Sequence, residues 1–192
     1  NQAAAGAPWA TAGANGIGVD RADLVLDGPT MNSTGTWYDF DLTDLARLWV
    51  STPGQNFGVA LKTTDGGQVE YEVWSSDYDF APIVRPKLTI VYTAGATGPT
   101  PTRTPTRTAT ISPTPTRTST PGPQTITFQR GVAPVSGFAG VYDTFISNFG
   151  DTTTNYGISP TLELRSNDTR AALLKFDVSS LPPARYPSII CL

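Results

Sequence analysis

Two carboxylate pairs, Asp39 with Asp41 and Asp77 with Asp79, have the i, i+2 spacing that lets both side chains leave one face of an extended strand. A glycosidase needs two carboxyl groups so placed, one to protonate the leaving oxygen and one to act as base or nucleophile. Context argues against catalysis. Asp39 and Asp41 flank a strand end that leads into a helix, and Asp77-Tyr78-Asp79 reads as a loop. The chain contains no His, which excludes Ser-His-Asp and Cys-His nucleophilic sites and His-containing zinc sites. The expectation is therefore a protein that is not an enzyme. Calcium is the cofactor to consider, with Asp77, Asp79 and Asp151 as candidate ligands, although no EF-hand spacing accompanies them.

Aromatic rings offer different chemistry. The apolar faces of pyranose rings stack on exposed aromatic side chains. Trp74 falls on the strand face shared with Glu70 and Glu72, and Tyr78 lies in the adjoining loop, so these two are the candidate carbohydrate-binding residues. Trp37 and Trp49 read as core. Asn32-Ser33-Thr34 and Asn167-Asp168-Thr169 match the N-glycosylation sequon, which marks Asn32 and Asn167.

The elements that must position these residues are almost all strands. Val69, Tyr71 and Val73 alternate with Glu70, Glu72 and Trp74; Leu88, Ile90 and Tyr92 alternate with Lys87, Thr89 and Val91. Phe57, Val59 and Leu61 align, as do Ile126 with Phe128, Leu162 with Leu164, and Ala172 with Leu174, Phe176 and Val178. This period of two, with short runs and Gly/Asn/Asp/Pro turns, predicts an all-β, antiparallel β-sandwich. Asp65-Gly66-Gly67 predicts a hairpin joining residues 57–62 to 68–75. One short helix is expected over residues 43–50, with Leu45, Leu48 and Trp49 inward, Thr43 as N-cap and Asp44 favouring the positive end of the helix dipole. Its entry, Phe40-Asp41-Leu42-Thr43-Asp44-Leu45, is echoed by Phe176-Asp177-Val178-Ser179-Ser180-Leu181.

Residues 95–123 differ in kind. Of these 29 residues, 11 are Thr and 7 are Pro, and the unit Thr-Pro-Thr-Arg-Thr begins at Thr100, Thr104 and Thr114. Ile111 is the one large apolar side chain, too little to offset the entropy of ordering. Proline favours polyproline II, so the segment predicts an extended linker with a reach of about 90 Å. Thr-rich segments with Pro are typical O-glycosylated stalks. The candidate acceptors are Thr100, Thr102, Thr104, Thr106, Thr108, Thr114, Thr116 and Thr118. An extracellular or cell-surface location follows as the expectation.

The linker divides the chain into residues 1–94 and 124–192. Net charge is −3, and the linker's Arg103, Arg107 and Arg117 leave −6 on the remainder. That balance argues against nucleic acid, which calls for a basic face. No apolar run of 18 residues is present, so no helical membrane span is expected. Cys191 is the single cysteine, which excludes a disulfide within the chain.

Asp143-Thr144-Phe145-Ile146, Asn155-Tyr156-Gly157 and the run from Arg170 to Pro182 resemble the N-terminal half of a DNRLRE-type domain, a family related to disaggregatase repeats and carbohydrate-binding modules. Trp37 to Thr43, the helix with Trp49, Asn56-Phe57-Gly58, Ser75-Ser76 and Arg85 to Thr89 resemble the C-terminal half. The resemblance implies a jelly-roll β-sandwich on secreted proteins, often in tandem. Ser166-Asn167-Asp168-Thr169-Arg170 departs from the letters that name the family, and no ligand residue is carried over.

The C-terminal half precedes the N-terminal half. The expectation is a jelly roll split into two half-domains, residues 1–94 and 124–192, by the linker at 95–123. Either the chain is a piece of a tandem array, or strands of 124–192 pair with strands of another copy's 1–93 in a head-to-tail polymer. Two functions follow. The first is a structural subunit of an extracellular glycosylated fibre, tube or surface matrix, with other copies of itself as partners. The alternative is a carbohydrate-binding module array of a secreted polysaccharide-acting protein.

Overall fold

The computed structural model describes residues 2–4, 7–8, 10, 16–22, 25–63, 69–94, 122–148, 153–166, 169–181 and 184–191. In chain order the elements are β1 (Gln2–Ala4), β2 (Ala7–Pro8), α1 (Thr43–Ser51), β3 (Val59–Leu61), β4 (Glu70–Trp74), β5 (Lys87–Ala94), β6 (Pro123–Gln129), β7 (Val141–Ser147), β8 (Thr161–Arg165), β9 (Arg170–Phe176) and β10 (Ala184–Cys191). All strand pairings are antiparallel. β1 and β2 pair with each other. A three-stranded sheet runs β10-β5-β6, and a five-stranded sheet runs β3-β9-β8-β4, with β7 on the other side of β9. No helix among the described residues is long and apolar enough to cross a membrane.

The two larger sheets share one core. Leu88, Ile90 and Phe128 of the smaller sheet meet Leu162, Leu164, Ala172, Leu174 and Phe176 of the larger. These are the inward positions of the alternating strands, so the antiparallel β-sandwich follows from the pattern of two. α1 adds Ala46 and Trp49 to the same core and lies against β10.

The strand pairing runs across the expected division into two half-domains, within one chain. β3 pairs with β9, β4 with β8, and β5 with both β6 and β10. Strands β3, β4 and β5 thus pair only with strands that follow the linker, and those strands belong to the same chain. The expected hairpin between residues 57–62 and 68–75 does not form. The β8–β9 hairpin lies between β3 and β4, setting Leu162 and Leu164 beside Val73 and Tyr71, and Ala172 and Leu174 beside Leu61 and Val59. The Asp65-Gly66-Gly67 turn itself lies outside the described residues, as do residues 95–121 with all eight candidate O-glycosylation threonines, and Asn167 and Asp151. Pro123 belongs to β6 rather than to the linker.

Three local readings are corrected. Phe57 does not continue the inward row of β3. Gly58 has φ +84°, a left-handed conformation that turns the chain and leaves Phe57 79% exposed. Trp37 is not core but 44% exposed, with the Lys87 ammonium 4.5 Å from its ring centroid. On α1 the inward side is Leu45, Ala46 and Trp49, and Leu48 alone of the expected three faces out.

The echoed sequence is an echoed structure. Leu42, not Thr43, occupies the N-cap, and Asp41 Oδ1 accepts the Thr43 N–H at 2.9 Å. Asp177 Oδ1 accepts the Ser179 N–H at 2.9 Å in the same way. Bonds from Thr43 and from Ser179 hold the two carboxyls below the usual range. Leu42 and Val178, the intervening residues, are both buried.

Candidate carbohydrate-binding site

Trp74 ends β4 opposite Thr161 of β8, and the chain then enters a loop that returns at β5. Alternation along β4 sends Tyr71 and Val73 into the core and Glu70, Glu72 and Trp74 outward. The loop brings Tyr78 back onto Trp74, with ring centroids 3.9 Å apart and planes at 22°. Phe80 follows, 5.8 Å from Tyr78 and tilted by 52°. Trp74 is 44% exposed and Phe80 93%. The two aromatics proposed from sequence therefore come together, and a third ring extends them. Phe80 lies outside the sequence-based candidates, although Tyr78-Asp79-Phe80 repeats an aromatic at i, i+2 within a polar loop and so carries a signal.

The loop that presents these rings is held by buried polar groups. Ser75 and Ser76 are fully buried. Ser75 donates its N–H to Pro160 O at 3.0 Å and its hydroxyl to Ser159 O at 2.5 Å, and its Oγ accepts the Asp77 N–H at 3.0 Å. The Ser76 N–H donates to Asp143 Oδ2 of β7 at 2.7 Å. Arg85, also buried, donates Nε to Tyr78 O at 2.8 Å, Nη1 to Arg130 O at 3.1 Å and Nη2 to Asp79 Oδ1 at 2.9 Å. Gln129 Nε2 donates to Arg85 O at 2.7 Å and Ile83 O at 3.1 Å. Each bond answers a backbone or charged group that would otherwise be desolvated without a partner. Arg85, Gln129 and Asp143 carried no readable signal, because their partners lie 44 residues or more along the chain or in an irregular loop.

Asp143 is the unusual member. It sits on the core side of β7, opposite Leu174, and burial pushes its carboxyl up to about 6 against the lowering effect of the Ser76 bonds; Asp77 raises it and Arg130 lowers it.

The two described candidate calcium ligands, Asp77 and Asp79, are in ion pairs. Asp77 pairs with Arg130 at 2.8 Å and Asp79 with Arg85 at 2.9 Å. No group of three His, Cys, Asp or Glu side chains suited to a metal ion occurs among the described residues. Asp41 closes a helix entry, as described above, and Asp39 is exposed two residues earlier. Asn32 is exposed, and its Oδ1 accepts the Ser33 hydroxyl at 3.3 Å.

Beside the rings, the outward row of the sheet is charged. Glu70 meets Arg165 at 3.5 Å and Arg170 at 2.7 Å, and Arg170 also binds Glu163. Glu72 stands directly opposite Glu163. Desolvation raises the Glu163 carboxyl, Arg170 opposes that, and the charges of Glu70 and Glu72 add to it. The face thus combines apolar rings with carboxylate acceptors, the two kinds of contact a sugar ring offers through its C–H surface and its hydroxyls.

Fold and site define an antiparallel β-sandwich with an aromatic platform at one end of an outward strand. Compared with family models, curated proteins and solved structures, the chain matches none.

Proposed function

We propose that this chain is a non-enzymatic, extracellular β-sandwich module of the DNRLRE-like kind that binds polysaccharide through Trp74, Tyr78 and Phe80. The observation that carries the reading is the stacked Trp74–Tyr78 pair with Phe80 beyond it, exposed on a loop whose backbone is fixed by Ser75, Ser76 and Arg85. A rigid platform loses little entropy on binding, so its contacts translate into affinity. The non-enzymatic part is supported by the carboxylates: Asp41, Asp77 and Asp79 each have a structural partner. The Thr/Pro-rich segment supports the extracellular part.

Affinity electrophoresis through gels containing neutral and charged polysaccharides tests this. The expected result is retardation by at least one polymer, reduced about tenfold or more in affinity by Trp74→Ala and by Phe80→Ala. Retardation by none of them, or variants that bind like the parent, would overturn it.

A second reading is a structural subunit of a glycosylated fibre or surface matrix. What favours it is that β5 and β6, direct neighbours in register, are joined by residues 95–122 where a short turn suffices.

A further inference from the structure

We infer that this fold can be completed by a second copy of the chain, the strands after the linker of one copy taking the places they hold here in the other. Three observations carry this. First, the partition is complete. Among the described residues β3, β4 and β5 have no partner among one another, and every ladder they make is with β6, β8, β9 or β10. The polar contacts divide the same way. Ser76 to Asp143, Ser75 to Ser159, Gln129 to Arg85, Asp77 to Arg130, and Asn56 Nδ2 to Phe176 O at 2.8 Å all run between residues 25–94 and residues 122–181. A second copy can supply every one of them without a new contact.

Second, one covalent connection crosses that partition after β5. It joins Ala94 to Pro123 and comprises 28 residues, 6 of them Pro and 11 Thr. Third, its ends are neighbours. Thr93 stands opposite Pro123 in the β5–β6 ladder, and paired antiparallel residues lie about 5 Å apart. A chain of this composition favours polyproline II, with a preferred span of several tens of ångströms and a maximum of about 85 Å. Folding within one chain has to bring together the ends of a 28-residue connection of this composition, which lowers the effective concentration of one part for the other. Pairing with a second copy relieves that cost and pays in translational entropy instead. The balance is set by protein concentration, as in other exchanges of identical elements.

This inference is independent of polysaccharide binding and rests on the structural reading only for how far exchange extends. Reciprocal exchange gives a closed dimer; head-to-tail exchange gives an open series. The test uses the full chain and a variant in which residues 95–122 are replaced by Asn-Gly. Ala94-Asn-Gly then forms a three-residue hairpin loop with Gly at its left-handed position. Both proteins are unfolded, refolded at micromolar and at near-millimolar concentration, and weighed by light scattering. The intact chain is expected to be monomeric, at 20.4 kDa, after dilute refolding and to give twofold and larger masses after concentrated refolding. The short-loop variant is expected to remain monomeric throughout. A monomeric intact chain under both conditions, or a variant with the same larger masses, overturns the inference. If the variant does not fold, unlabelled and isotope-labelled intact chains decide the matter by native mass spectrometry. Mixed assemblies should arise on refolding together and not on brief mixing of folded protein; their absence in the first case or presence in the second overturns exchange. A dimer alone supports exchange and removes the fibre, whereas an open series supports both.

Discussion

Strands β3, β4 and β5 before the linker and β7, β8 and β9 after it fill the same core, yet only the later set pair with one another. β9 receives β7 along seven residue pairs and meets β8 at Arg165–Arg170, with four residues between them in sequence. The earlier strands have no such local partner. The contrast teaches that the two segments differ in how much of their structure depends on distant contacts. Short closures are entropically cheap, so the β7–β9–β8 unit can form early and act as the template on which β3, β4 and β5 assemble.

The largest expected effect breaks the seam between them. Gly58 lies so close to β9 that a Cβ built there would stand 2.3 Å from Leu174 O, and its φ of +84° disfavours any side chain. Gly58→Ala is expected to cost about 3 kcal/mol or more, from strain and displacement of β3 together. Hydrogen exchange should then show β3, β4 and β5 losing protection before β7 and β9. Uniform loss across both sets would remove the distinction between template and dependent strands.

A smaller effect of opposite sign comes from Asp143, which joins the segments through Ser76. Folding raises this carboxyl from 3.8 to about 6. Its favourable contribution is therefore complete below about pH 4 and is lost as pH rises through 6, leaving a buried charge that costs up to about 3 kcal/mol at neutral pH. Asp143→Asn keeps an oxygen for the Ser76 N–H and removes the charge. Thermal melts should show it more stable than the parent at pH 7.5, with the difference vanishing near pH 4. Equal melting temperatures at pH 7.5 would place Asp143 in a solvated site.

The smallest effect compares the segments directly. Asp41 and Asp177 make the same bond, each to the N–H two residues on, and both carboxyls lie below their ordinary value. A lowered value stabilises above the usual carboxylate range and is lost as pH falls through the folded value, the reverse of Asp143. Both turns are well exposed, so Asp41→Ala and Asp177→Ala should each lower the melting temperature only slightly, and more at pH 6 than at pH 2.5. Asp177→Ala should be the more damaging for refolding rate, because it follows Phe176 at the end of β9. An equal rate for the two variants would argue against early formation of that unit.

Composition and period sufficed for the inward rows of most strands, though not for Phe57, Trp37 or Leu48. Alternation placed Tyr71, Val73, Leu88, Ile90, Leu162 and Leu164 inward, because a strand's successive side chains must leave opposite faces. The helix beginning at Thr43, and the echo of its entry at residues 176–181, were legible for the same reason, being made within a few residues. Trp74 and Tyr78 could be chosen as exposed rings from their strand face and loop position. Which strands meet was decided only in three dimensions. Period two fixes the buried face of a strand but is silent on its neighbour, since backbone N–H and C=O groups are the same on every edge. In place of the hairpin expected at Asp65-Gly66-Gly67, β3 pairs with β9 and β4 with β8. Phe80 and the bonds of Arg85 and Asp143 likewise depended on the return of the loop from Trp74, a path set by side chains far away in the chain.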